Sequence, residues 1–172
     1  MLFRSLLRWM ERNAPDVYDA VLKADKKSMQ MFSGHGSAMA QAYNHIIMPL
    51  ANRRDKYTQV TWGIEDFEKR FERPSEGMWL PETAVDTETL EVLAELGIKF
   101  TILAPHQALR VRKISEDSWT EVLGGKIDPR RSYLCRLPSG NNINVLFYDG
   151  AISHQVAFKG LLNDGKIGRA HV

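Results

Sequence analysis

The stretch Glu76-Gly77-Met78-Trp79-Leu80-Pro81-Glu82-Thr83-Ala84-Val85-Asp86 decides how the chain is read. A short apolar run stops at a Pro-Glu step, and helix-forming sequence resumes four residues later. Met78 and Leu80 alternate as a half-buried strand requires, and Pro81 ends the ladder because it has no N–H to donate. Glu82 then stands just beyond the carboxyl end of a strand, where α/β proteins collect their ligands. A glutamate there is also an ordinary surface residue of a βα loop. Its neighbours give it more weight: an indole three residues before it, a rigid proline beside it, and a Gly/His/Asn-rich segment upstream.

Working outward, Asp86 is a good N-cap, with Val85 and Leu90 placed as a hydrophobic staple. Leu90, Leu93 and Ala94 form the buried stripe of the next helix, and Gly97 stops it. Residues 98–103 follow as an apolar strand. On the amino side, residues 53–71 form a long amphipathic helix, with Val60, Ile64, Phe67 and Phe71 on one face. Helix and strand alternating through short connections point to βα units and a parallel sheet. Residues 6–27 read as two short helices separated at Asn13-Ala14-Pro15-Asp16. Beyond Pro105, strands over 132–137 and 141–147 flank Pro138-Ser139-Gly140-Asn141, a hairpin taken as an insertion in the scaffold. Asp149 closes the second of these strands, and 152–162 return to helical spacing.

The polar candidates cluster upstream of the central stretch. Gly34-His35-Gly36 is a loop whose glycines permit close backbone approach. It leads into Ala38–Leu50, an apolar segment carrying Gln41, Asn44 and His45. Those side chains are costly to bury without partners, so either they satisfy one another in a core or they line a polar cavity. The spacing of His35 and His45 fits neither a zinc-finger pair nor a His-Glu-x-x-His helix.

At 172 residues, with 44% hydrophobic and 26% charged residues, the composition is that of a globular domain or a piece of one. The net charge of +2, from 23 basic and 21 acidic residues, gives no reason to expect a nucleic-acid partner. Cys135 is the single cysteine, which suits a reducing, cytoplasmic setting. No apolar run approaches the roughly 20 residues that span a bilayer, so no membrane partner is expected. The ends read differently from the rest. Residues 2–5 and 167–172 match the translation of a common short-read sequencing adapter in its two orientations. The protein proper is therefore expected over 6–166, as an internal fragment flanked by adapter-derived residues 1–5 and 167–172, and His171 is no site candidate.

Gly77-Met78-Trp79-Leu80-Pro81-Glu82 resembles the Trp-Leu-Pro-Glu region of glycoside hydrolase family 57. The Gly34–Pro49 segment is similar to the preceding region of a bacterial branch of that family that carries a further uncharacterised domain. The similarity extends through Tyr148-Asp149-Gly150 and Ile152-Ser153-His154. It implies an α/β fold: an incomplete (β/α)7 barrel fragment with the β-hairpin as insertion. It implies action on an α-glucan or maltooligosaccharide, as an α-amylase, 4-α-glucanotransferase or branching enzyme, by a retaining mechanism with no metal or other cofactor. The family's nucleophile falls on Glu82. His35, His45, Trp79, Asp149 and His154 are the candidate substrate-binding residues, and Glu82 is expected to line a cleft near the Gly34-His35-Gly36 loop. The acid/base aspartate of the family finds no match here, so the chain by itself is expected to be inactive. A metal-dependent polysaccharide deacetylase-like barrel and a non-catalytic glucan-binding protein stay open as alternatives; the oligomeric state is undetermined.

Overall fold

A computed structural model describes residues 4–163. The adapter-like residues 167–172 and the first three of the chain lie outside the described residues, as does Asp164. The chain divides into two compact units, one holding residues up to Thr101 with Leu134–Val145, the other Ile102–Tyr133 and the chain from Leu146.

In the first unit, α1 (Arg4–Asn13) and α2 (Pro15–Met31) are separated by Ala14 alone. Pro15 sits at the start of α2, where its missing N–H costs no helical hydrogen bond. α3 runs over Arg53–Phe71, as the periodicity predicts, capped by Asn52, whose side chain accepts from the Asp55 N–H. Val60, Phe67 and Phe71 are buried along it, each worth about 1.5–3 kcal/mol of transfer free energy. α4 (Thr87–Glu95) takes Asp86 as N-cap and ends as Gly97 and Ile98 donate back to Ala94 and Leu93.

Three strands alternate with these helices: β1 (Ala40–Gln41) after α2, β2 (Gly77–Trp79) after α3 and β3 (Phe100–Leu103) after α4. β1 pairs with β2 and β2 with β3, both in parallel, with Ala40 opposite Met78 and Met78 opposite Thr101. The hairpin strands β6 (Tyr133–Arg136) and β7 (Asn142–Phe147) join the same sheet, in the order β1-β2-β3-β7-β6. Asn144 donates to the Lys99 carbonyl and Tyr148 to the Leu103 carbonyl. Partner numbers rise together, so β7 runs parallel to β3 and serves as a scaffold strand. The hairpin is thus built into the sheet, and its turn is tied to α4 where the Ser139 N–H donates to Glu91 at 2.9 Å.

The second unit carries a two-stranded antiparallel ribbon, β4 (Arg110–Val111) and β5 (Thr120–Glu121), over a small cluster of Ala108, Val122 and Ile127. The guanidinium groups of Arg110 and Arg112 stand 4.8 and 5.3 Å from the centre of the Trp119 ring. α5 (Gly150–Phe158) follows β7.

The Gly34-His35-Gly36 loop has a structural cause. Asp25, 3% exposed, accepts two hydrogen bonds from Arg73 at 2.8 and 3.0 Å and one from the Ala38 N–H at 2.7 Å. A Cβ on Gly36 would stand 2.4 Å from both Asp25 and Arg73, so only glycine lets the backbone pass over the pair. Burial alone would raise the Asp25 carboxyl above its ordinary value; the Arg73 and Ala38 hydrogen bonds outweigh it and hold it below. The unfolded chain therefore binds this proton more tightly than the folded one. Asp25 contributes stability that is present above about pH 3.8 and is lost as pH falls below that. Asp25→Asn should cost about 3–5 kcal/mol at neutral pH, because it strands a buried guanidinium. Thermal melts between pH 2 and 7 should show the variant losing less on acidification than the parent chain.

Candidate active site

The sheet's parallel register sends the segments after β1 and β2 out at one end. After β2, Leu80 is fully buried, Pro81 is buried, and Glu82 is the first exposed residue, its side chain 73% exposed. The Thr83 and Ala84 amides donate back to Leu80 and Pro81, each at 3.0 Å, closing a tight turn on the strand end. Inside that turn Glu82 has φ 54° and Thr83 φ 54°, in the left-handed region that side chains with a Cβ avoid.

After β1 the chain turns in the same way. The Ala42 amide donates to the Trp79 carbonyl at 3.4 Å, the Tyr43 amide to the Gln59 carbonyl at 3.2 Å, and the His45 amide to Ala42 at 3.3 Å. His45 also has a positive φ, 55°. Its Nε2 lies 3.4 Å from Glu82 Oε1. Three of the five non-glycine residues with positive φ among the described residues therefore meet at this one point. Such conformations cost on the order of 1–3 kcal/mol each and persist only where their surroundings over-determine them.

The other sequence candidates are dispersed. His35 does not join Glu82: its Nδ1 lies 2.8 Å from Glu76 Oε2, and Glu76 also accepts from Lys99 at 3.1 Å. Those two hydrogen bonds, His35 first, hold the Glu76 carboxyl below its ordinary value. Glu76 precedes β2 and Lys99 precedes β3, so His35 belongs to the amino end of the parallel strands. The expectation that the Gly34-His35-Gly36 loop and Glu82 share a cleft is corrected accordingly; Asp25 and Arg73 account for the loop's glycine. Trp79 stands on the face of β2 opposite Met78 and Leu80, beside Gln41 of β1. Its ring is partly exposed, and its buried indole N–H has no acceptor among the described residues. In the second unit Asp149 is the N-cap of α5, accepting from the Ile152 N–H at 3.0 Å. His154 lies exposed on α5, its ring 5.3 Å from Phe158. Sequence reasoning missed the paired left-handed turns, which no local signal announces when the residues are His, Glu and Thr.

A cleft of about 750 Å³ is lined by residues of α1, α2 and α3 with Tyr43, and Glu82 is not among its lining residues. Its central guanidinium, Arg70, is already engaged with Asp66, Glu11 and Tyr18. Among the described residues no three His, Cys, Asp or Glu side chains converge as a metal site requires, and no helix is long and apolar enough to cross a membrane.

Parallel strands alternating with helices, and a carboxylate held beyond a strand end, are the construction of an α/β protein with its site at the carboxyl end of the strands. The chain belongs to glycosyl hydrolase family 57, whose model matches residues 2–166. It is 24% identical over 99 residues to alpha-amylase 1 of Dictyoglomus thermophilum, a match covering 57% of this chain and 13% of that protein. Among solved structures it is similar to the 4-alpha-glucanotransferase of Thermococcus litoralis, with TM-score 0.66 and 19% identity over 93% of this chain and 22% of that one. It is similar also to a GH57 branching enzyme of Thermococcus kodakaraensis, with TM-score 0.57 and 20% identity over 94% of this chain and 31% of that one. The chain thus spans less than a third of the length of each of these relatives, and the sheet and helices of 4–163 are part of the family's (β/α)7 barrel fold.

Glycine tolerates φ near 55° without strain, so Glu82→Gly and His45→Gly should leave stability unchanged or raise it by up to about 1 kcal/mol. Chemical denaturation of each variant against the parent checks this; a loss above about 1 kcal/mol in both would mean that the turns are not strained.

Proposed function

We propose that this chain supplies the nucleophile of a retaining, α-glucan-active glycoside hydrolase or glucanotransferase, with Glu82 as that nucleophile. The observation that carries the reading is the Pro81–Thr83 turn. It holds an exposed carboxylate beyond a strand end, in a conformation with an energetic cost, against a histidine from the neighbouring strand. Family membership supplies the substrate class.

In the reaction, a Glu82 oxygen attacks the anomeric carbon as the glycosidic C–O bond breaks. The leaving oxygen takes a proton from a carboxylic acid placed about 5–5.5 Å away. Water or a sugar hydroxyl then displaces Glu82 from the glycosyl ester. His45 holds one oxygen of Glu82 and leaves the other to attack, and Trp79 is the aromatic candidate for a sugar face. Asp149 and His154 have structural partners of their own, an N-cap and a ring contact. A metal-dependent deacetylase would need a histidine sharing its ion with an aspartate, whereas His35 and His45 each face a glutamate, at opposite strand ends.

The acid/base carboxyl is not matched in this chain, so maltooligosaccharides should not be turned over in a reducing-sugar assay on residues 6–166. A sugar with an activated leaving group needs no acid. Glu82 should attack C1 of 5-fluoro-α-D-glucosyl fluoride as the C1–F bond breaks, releasing the anomeric fluoride to solvent and leaving one 5-fluoroglucosyl ester on the peptide that contains Glu82, read by mass spectrometry. Labelling that persists in Glu82→Gln, or that falls on another residue, would overturn the assignment.

A further inference from the structure

We infer that Lys56 and Gln59, one turn apart on α3, are positioning residues that set His45 against Glu82, each by gripping the loop that carries one member of the pair. The inference depends on the proposed function only for what Glu82 does once it is in place.

Lys56 and Gln59 share a face of α3 with the apolar residues of the core, and both are buried, at 1% and 8% exposure. Two long polar side chains at core positions carry a desolvation cost, and each offsets it through a loop of the site. Lys56 Nζ donates to Asp86 Oδ2 at 2.7 Å and to Glu88 Oε2 at 2.8 Å. Asp86 Oδ1 in turn accepts from the Thr89 amide at 2.8 Å. The left-handed turn at Glu82 and Thr83 is therefore clamped on both sides: by buried Leu80 and Pro81 before it, and by the Lys56–Asp86 grip after it. Gln59 Oε1 accepts from the Asn44 amide at 2.7 Å, and its carbonyl accepts from Tyr43, so it grips the turn that carries His45.

The helix is itself tied to β1 one turn further on. A Cβ on Gly63 would stand 2.2 Å from the Gln41 carbonyl oxygen, so the helix lies directly on the strand. Lys56, Gln59 and Gly63 thus refer both loops to a single rigid element. Burial alone would lower Lys56 and raise Asp86; their mutual hydrogen bond reverses both, so the grip is a charged one.

Local and global roles separate in amide hydrogen exchange measured by NMR on the whole chain. Lys56→Met should accelerate exchange at Thr83 and Ala84 by about tenfold or more, while the amides of Val60 and Gly63 stay within about twofold. Gln59→Leu should do the same at Asn44 and leave Thr83 and Ala84 unchanged. Both variants should slow labelling of Glu82 by 5-fluoro-α-D-glucosyl fluoride. If Lys56→Met does not fold, Asp86→Asn keeps the N-cap oxygen, removes the charge that Lys56 grips, and should still accelerate Thr83 and Ala84 selectively. Acceleration spread evenly over all amides, or none at these three, would overturn the inference. Localised exchange with no labelling of Glu82 in the parent chain would leave the grip standing and sink the nucleophile instead.

Discussion

The close approach of α3 to β1 is the constraint on which the carboxyl end of the sheet depends. With hydrogen alone on Gly63, the helix backbone reaches the Gln41 carbonyl, and the strand cannot slide without opening a gap under Val60 and Phe67. The register of β1 on β2, Gln41 opposite Trp79, then brings the segments that follow both strands to one place. His45 and Glu82 are 37 positions apart in the sequence and come within 3.4 Å because two strands start together and run in the same direction.

The scaffold was legible to the extent that it is repetitive. α3 shows itself by apolar spacing, α4 by Asp86, Leu90 and Gly97, and β3 by an apolar run broken only by Lys99 and Thr101, because each is specified by residues close together in the chain. β7 was read as a hairpin strand, which it is, but its parallel pairing with β3 depends on a crossover of some forty residues without a helix of its own to mark it. Long-range pairing of that kind leaves no periodic trace.

Of the candidate site, the strand end was legible and the three-dimensional grouping was not. The Pro-Glu step puts Glu82 just beyond β2 because proline's missing donor has the same consequence wherever it occurs. His35 and His45 are only ten residues apart in sequence, yet they stand at opposite ends of the strands. The five residues from His35 to Met39 lead into β1, and His45 follows its end. Lys56 and Gln59 do not stand out in the sequence. They occupy positions equivalent to Val60 and Gly63 around the helix, where a binary reading expects apolar side chains, and the intrusion of polar residues into that stripe was the available signal.

The proposed reaction needs an accessible oxygen on Glu82, and the exposed side chain offers one. That side chain is 73% exposed, with His45 Nε2 3.4 Å from Oε1, so the carboxylate carries little burial cost. The cost of the arrangement falls on the backbone instead, at His45, Glu82 and Thr83. Left-handed residues other than glycine are unstable against relaxing to the right-handed basin, so a chain that keeps three of them in contact needs buried anchors behind each. Leu80 and Pro81 on one side, with Lys56 and Gln59 on the other, are those anchors. This is why the polar residues of α3 lie in the core rather than at its surface.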